Sequence, residues 1–326
     1  MSKNNNSANT APAKKIYNFC SKKMMIFIIT AAIVAVTLIG CLVRGISVAI
    51  EFRGGTMITY QYTGDIDTNA VKAAAGEIIT DSITIRTGES LDSDAKELTI
   101  SFTSENGLTV ERQTDLTDKL QEKFPDNDLT LYDSNDVSPT TGTEFFLKCI
   151  VAVIFAAVLI ILYIAIRFRK IGGWTAGLCS VLALLNDLLV AFAATIIFGF
   201  EFSSNTVAVI LTILGYSINN TIVIYDRIRE NKKLTPKASI SQLVNAGCSQ
   251  SLTRSIRTSV TTIGAMLSIT IVVLISGYDS LLSFSVPLMF GLVSGTYSSL
   301  FVAPVTWAAW EEKRTSKKSG KKEKSE

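Results

Sequence analysis

Apolar residues dominate six stretches of the chain: Met24–Val43, Phe145–Ile166, Trp174–Phe198, Thr206–Tyr225, Thr258–Ser276 and Leu282–Ala309. A helix needs roughly 20 mostly apolar residues to cross the hydrocarbon of a bilayer, and every stretch is of that order or longer. The pattern therefore predicts six membrane spans. Buried helices of a large soluble protein would show shorter runs. The sixth span is long enough to tilt, and Pro287 and Pro304 mark where it is free to bend.

Between the first two runs the periodicity changes. Thr56–Tyr62 alternates as a strand, Asp67–Thr80 reads as a helix capped by Asp67 or Thr68, and Ser82–Thr87 and Glu97–Thr103 read as strands. Leu108–Phe124 is an amphipathic helix pattern, and Leu129–Tyr132 a short closing strand. The order β-α-β-β-α-β is that of the ferredoxin-like split unit. The chain thus divides into a tail (1–23), a first span (24–43), an α+β domain (44–143), a five-helix region (144–309) and a basic tail (310–326).

Composition supports the membrane reading: 326 residues, 48% hydrophobic, 18% charged, mean hydropathy +0.35. Charge then orients it. Lys14, Lys15, Lys22 and Lys23 precede the first span, and Arg167, Arg169 and Lys170 follow the second. Arg227, Arg229, Lys232, Lys233 and Lys237 follow the fourth, and a Lys-rich tail from Lys313 follows the sixth. The opposite loops, Gly199–Ser204 and Gly277–Leu281, carry no Lys or Arg. Under the positive-inside rule both termini are expected in the cytoplasm and the α+β domain outside it. That domain, Arg44–Thr143, holds 18 Asp and Glu against 8 Lys and Arg, a net of −10, whereas the whole chain is at +3. Such a balance argues for solvent exposure and against nucleic acid or anionic lipid as its partner.

Catalytic chemistry is not signalled. The chain has no histidine, and its five cysteines (Cys20, Cys41, Cys149, Cys179, Cys248) form neither a disulfide framework nor a metal-ligand spacing. No cofactor is called for. Leu38-Ile39-Gly40-Cys41 matches a lipoprotein processing site, but the long apolar run suits an uncleaved anchor.

The informative residues are hydrophilic ones at membrane depth. Asp187 is the one acidic residue well inside a predicted span, where a charge costs about 2.5–3.5 kcal/mol even on lenient insertion scales, so it needs a partner, water or a bound proton. Asn186 adjoins it. The segment from Gly215 to Asn231, GYSINNTIVIYDRIREN, places Gly215, Tyr216, Ser217, Asn219, Asn220 and Thr221 inside the fourth span, then breaks into charge at Asp226 and Arg227. Gly291 and Gly295 form a G-x-x-x-G face with Ser294, Ser298 and Ser299 nearby, either an internal packing surface or one facing a partner. After the first span comes Glu51-Phe52-Arg53-Gly54-Gly55-Thr56, whose paired glycines permit a sharp turn with positive φ.

Four of these strings resemble signatures of the SecD/SecF family of bacterial protein-export subunits, and of its SecF branch in particular. They are EFRGGT with Phe52, Gly54, Gly55 and Thr56; the Gly215 segment; SLTRSIRTSVTT at Ser251–Thr262; and GTYSSLFVA at Gly295–Ala303. In the third string Arg254 falls on the family's functional arginine, and Thr258 and Ser259 on its Thr-Ser pair. The resemblance implies a polytopic α-helical membrane protein with six transmembrane helices, half of a resistance–nodulation–division transporter, plus an extracytoplasmic α+β domain. It further implies that the chain is no enzyme. Its partners would be a SecD-like six-span subunit, the SecYEG channel, the SecA motor, a translocating preprotein and the bilayer of the bacterial plasma membrane. The ion-motive force would drive its work.

Two positions depart from the family. An aspartate is usual where this chain has Asn220, and a histidine where it has Asn186. An amide hydrogen-bonds but does not titrate. Three readings stay open: the partner carries all the proton chemistry, Asp187 substitutes, or the site passes another cation such as sodium, ligated by Asp187 with Asn186, Asn219, Asn220 and Thr221. Arg254 is expected in the ion path, and Arg257 as a surface anchor. A subunit that only completes the SecD fold, and a small-solute exporter of the same superfamily, are the rival functions.

Overall fold

The computed structural model describes residues 16–79, 83–89, 96–103, 108–276 and 279–322. Thr80, Ser82, Lys14, Lys15, Gly277 and the end of the basic tail lie outside them. The first apolar run forms helix α1, Lys23–Arg44, and a single turn, α2 (Ile50–Arg53), leads into strand β1 (Gly55–Tyr62). Helix α3 (Thr68–Ala75), strands β2 (Ile83–Glu89) and β3 (Lys96–Phe102), helix α4 (Val110–Lys123) and strand β4 (Thr130–Val137) follow.

All strand pairs are antiparallel, in the order β2-β3-β1-β4. This arrangement follows from the alternation: Ile58, Tyr60, Leu98 and Ile100 point to one face and are buried beneath Val71 and Ala74 of α3 and Leu116 and Leu120 of α4. Each large apolar side chain so covered contributes about 1.5–3 kcal/mol. Asp67 caps α3 by accepting from the Asn69 amide. That helix is shorter than the expected Asp67–Thr80, because Gly76 closes it. The closing strand is longer than the expected Leu129–Tyr132. Its second half, Asp133 to Val137, is a polar, exposed edge whose pairing with β1 leaves no apolar alternation to read.

The bundle comprises α5 (Pro139–Arg167), α6 (Gly173–Phe198), α7 (Ser204–Leu234), α8 (Ile240–Ile275), α9 (Asp279–Tyr297) and α10 (Ala303–Lys322). With α1 these supply six helices long and apolar enough to cross a membrane, α9 and α10 counting as one. Helix α5 starts at Pro139, inside the stretch read as the polar domain, because Ser138 caps it and proline suits its first turn. Between α9 and α10 lies one π-helical segment, Ser298–Val302. Pro304 explains it. Proline has no N–H to give and its ring crowds the carbonyl four residues back, so the chain widens by one residue and the Ala303 amide reaches Ser298 instead. Helices α6, α7 and the last span form the centre, while α1, α5 and α8 turn large apolar side chains outward.

The sheet domain is fixed to one end of this bundle. Val48 and Phe202 form an isolated parallel bridge, with Ala49 donating to Phe202 at 3.0 Å and Phe202 to Ser47 at 2.8 Å. Phe52 packs among Phe145, Phe146 and Phe202. Glu51 accepts from the Ser204 amide at the start of α7, at 2.9 Å, and Arg86 of β2 pairs with Glu201 at 2.6 Å.

Candidate functional site

The centre of the bundle holds a carboxylate among hydroxyls. Asp187 on α6 is fully buried, and α7 and the last span bring three serines to it. Ser217 and Ser298 donate to its Oδ2 and Ser294 to its Oδ1, each at 2.7 Å. Asn186 donates from Nδ2 to Ser294 Oγ at 3.1 Å, which commits the Ser294 proton to Asp187. Next to this shell, Thr221 donates to Ser299 Oγ at 3.1 Å, and Ser299 to the Ser217 carbonyl at 3.1 Å. Among the described residues no cation pairs with Asp187. Charge is thus stabilised there by oriented hydroxyls alone, in a medium where an uncompensated ion is costly.

The glycines make this closeness possible. A Cβ on Gly295 would stand 3.2 Å from Ser217 and 3.6 Å from Asp187 Oδ2, and one on Gly291 would run into Ile213. The G-x-x-x-G face is therefore internal, packed on α6 and α7, and does not face a partner. Ser294 and Ser298, which read in sequence as small packing residues, are the carboxylate's own donors. Their i, i+4 spacing beside Gly291 and Gly295 was the available signal.

Other candidates separate into three groups. Asn186, Asn220 and Thr221 are buried with Asp187, and Asn186 Oδ1 and Asn220 Nδ2 have no hydrogen-bond partner among the described residues. Ser259 of α8 accepts from Thr296 of α9 at 2.7 Å, and Tyr216 packs beside Ile213. Asn219 and Arg254 are not brought to Asp187. Both are exposed on the bundle surface, as are Gly215 and Thr258, and Arg254 has no acidic partner among the described residues. Asp226 bridges Arg167 of α5 (3.2 Å) and Arg229 (2.7 Å), while Arg227 binds Gln250 and Glu230, both at 2.6 Å. These charges tie α5, α7 and α8 together at the end remote from the sheet.

At that nearer end the glycine pair behaves as its sequence implied. Gly54 has φ 83° and Gly55 φ 144°; a Cβ on Gly54 would lie 2.5 Å from the Pro139 backbone and one on Gly55 2.3 Å from the Phe102 carbonyl. Phe52 and Thr56 are buried on either side. The motif lets the first strand pass between the sheet and the start of α5.

Comparison with known proteins agrees with this architecture. The chain is 29% identical over 289 residues to the protein translocase subunit SecF of Calditerrivibrio nitroreducens, covering 88% of this chain and 91% of that protein. It is 32% identical over 311 residues to the protein translocase subunit SecDF of Bacillus subtilis, of which it spans 39%. The crystal structure of SecDF, a translocon-associated membrane protein from Thermus thermophilus, superposes with a TM-score of 0.75 at 29% identity, over 91% of this chain and 39% of that one. The pattern of the family described as "Protein export membrane protein SecD/SecF, C-terminal" matches residues 116–313. This multi-pass membrane chain therefore belongs to the SecD/SecF family of protein export membrane proteins.

Proposed function

We propose that the chain is the SecF-type accessory subunit of a bacterial Sec translocon. It pairs with a six-span SecD-like subunit and uses the ion-motive force to promote preprotein movement beyond SecYEG and SecA. One observation carries the need for a partner. Spanning helices α7 and α8 expose Thr212, Gly215 and Asn219, and Arg254, Thr258 and Thr261, respectively. The exposed Asn219 amide lies well inside the apolar run of α7, where it is costly against lipid and satisfied against a second bundle, and Arg254 stands just before the apolar run of α8. The SecDF relatives carry a region like this one in a longer single chain, as a covalent pair of halves would.

The orientation follows the basic residues. Arg229 donates to the Arg167 carbonyl and Lys232 to that of Lys170, so the basic ends of α5 and α7 converge opposite the sheet domain. This convergence supports an orientation with both termini in the cytoplasm and the domain of residues 44–143 outside the plasma membrane. The role is transport, without a catalytic step.

The test is purification from native membranes followed by an export assay in energised inverted vesicles. A SecD-like chain and SecYEG co-purify, and Arg254→Ala lowers export several-fold while the chain remains in the membrane. A chain purified alone, with export untouched by Arg254→Ala, leaves only the scaffolding role.

A further inference from the structure

At the end of the bundle remote from the sheet domain, a cavity of about 680 Å³ runs along α10. Thr306, Ala309, Trp310, Lys313 and Arg314 line it from α10, and Phe27 lines it from α1. Both helices pack on α6. The α10 residues recur at i, i+3, i+4, i+7 and i+8, so they form one stripe of the helix. Along that stripe the chemistry changes within a turn. Ala309 and Trp310 close the last apolar run, and Lys313 and Arg314 open the basic stretch. On α1 the exposed Lys23 stands one turn before Phe27, at the edge of the run that starts at Met24. The cavity therefore has an apolar wall at hydrocarbon depth and a cationic rim at headgroup level, with a tryptophan at the boundary between them.

The acids of α10 are turned elsewhere. Glu311 lies against Thr175 of α6 at 3.4 Å, and Glu312 accepts from Ser241 of α8. Lys23 and Lys313 have no acidic partner among the described residues, and Arg314 reaches Glu311 only at 3.8 Å. Phe27 and Trp310 remain 54% and 45% exposed. We propose that this cavity binds one anionic phospholipid, such as phosphatidylglycerol, with an acyl chain along Phe27, Ala309 and Trp310. Lys313 and Arg314 hold its phosphate, and Lys23 supplies charge from the facing rim. Charge and shape together select this occupant. An apolar peptide helix would cover the wall and leave the cations unmatched, and a soluble anion would match the cations and leave the aromatic wall bare. The site goes beyond the export role, and takes from the proposed orientation only that this end meets the cytoplasmic leaflet.

The test places the purified full chain in phosphatidylcholine nanodiscs doped with lipid brominated on its acyl chains. A Trp174→Phe background leaves the buried Trp307 as a constant signal and Trp310 as the reporter within reach of the bromine. Brominated phosphatidylglycerol is expected to quench at a mole fraction roughly twenty-five-fold lower than brominated phosphatidylcholine needs, since each basic residue near an anionic lipid contributes about fivefold. Lys313→Gln lowers that preference about fivefold, and Lys313→Gln with Arg314→Gln removes it. Ala309→Leu narrows the cavity with every charge kept, and it too lowers the preference, whereas a general attraction of anionic lipid to a basic surface would not respond. Equal quenching by the two lipids overturns the site, as does a preference that survives the double substitution or ignores Ala309→Leu. Quenching that disappears once a SecD-like partner is reconstituted alongside assigns the cavity to a protein neighbour and overturns it equally. Export enters none of these readings, so a negative result leaves the proposed transport role standing, and loss of that role leaves the lipid site standing.

Discussion

Single residues of the sheet domain carry two consequences that can be measured. At Gly55 the chain combines φ 144° with a carbonyl only 2.3 Å from where a Cβ would sit. Strain of that kind costs of order 1–3 kcal/mol per residue, and the clash is with backbone that cannot step aside. Gly55→Ala is therefore expected to speed hydrogen exchange across β1 and β3 while leaving α6 and α7 protected, as read by mass spectrometry on the full chain. Glu77 works through charge. Hydrogen bonds and attraction from Lys119 and Lys123 lower its carboxyl from the ordinary 4.5 to about 2. A depressed folded-state value stabilises above the unfolded-state pKa, and that support is lost as pH falls from about 4.5 toward 2. The pair of contacts joins α4 to the turn after α3, so Glu77→Gln flattens the acid sensitivity of exchange in those two helices within that window. The carboxylate is fully exposed, and added salt reduces the difference.

Elements show where sequence sufficed and where it did not. The six spans and the β-α-β-β-α-β order were legible because burial in lipid or beneath a sheet imposes one periodicity over many residues. Ends were harder. Helix α8 begins at Ile240, eighteen residues before the expected Thr258, and its first half is an amphipathic helix that buries Leu243, Val244, Gly247, Cys248 and Ser251. Its start carries a capping box: Ser239 accepts from the Gln242 amide while the Gln242 side chain accepts from Ser239. The S-x-x-Q string was readable, but small residues on the buried face blurred the apolar stripe. Ser239→Ala removes the cap and is expected to destabilise the first turn of α8 by about 1 kcal/mol, seen as faster exchange confined to residues 240–244. Asp187 stood out as a lone acid, and its surroundings were half legible. Ser217, Asn219, Asn220 and Thr221 all stood out as polar residues at membrane depth, and three of them are inward while Asn219 is exposed. The opposite fates of Asn219 and Asn220, adjacent residues with one outside and one buried, depend on a rotation of the helix that composition does not encode.

For the molecule as a whole, the sheet domain meets the bundle through the segments that join it and through strand β2, which lies against the loop before α7 and against α9. The loop between α6 and α7 is the common element: it bridges to Val48, its Phe202 ring packs on Phe52, and its Glu201 holds Arg86. Both helices that flank this loop carry the buried polar cluster, α6 with Asp187 and α7 with Ser217. A change in α6 or α7 packing at Asp187 thus reaches the domain by rigid helices, and Arg86–Glu201 is an ion pair made by the sheet itself, beside the approach of β2 to α9. Arg86 is more exposed than Glu201, with side-chain exposures of 38% and 12%, so the pair contributes about 1 kcal/mol and no more. That modest value suits a contact that opens and closes. Arg86→Glu and Glu201→Arg singly are expected to raise exchange in β2 and lower export, since each opposes like charges. The double exchange restores both readouts if the ion pair is the coupling contact. Restored exchange with export still low would instead place the coupling in the Val48–Phe202 bridge, because the charge pair would then be holding the domain without transmitting to it.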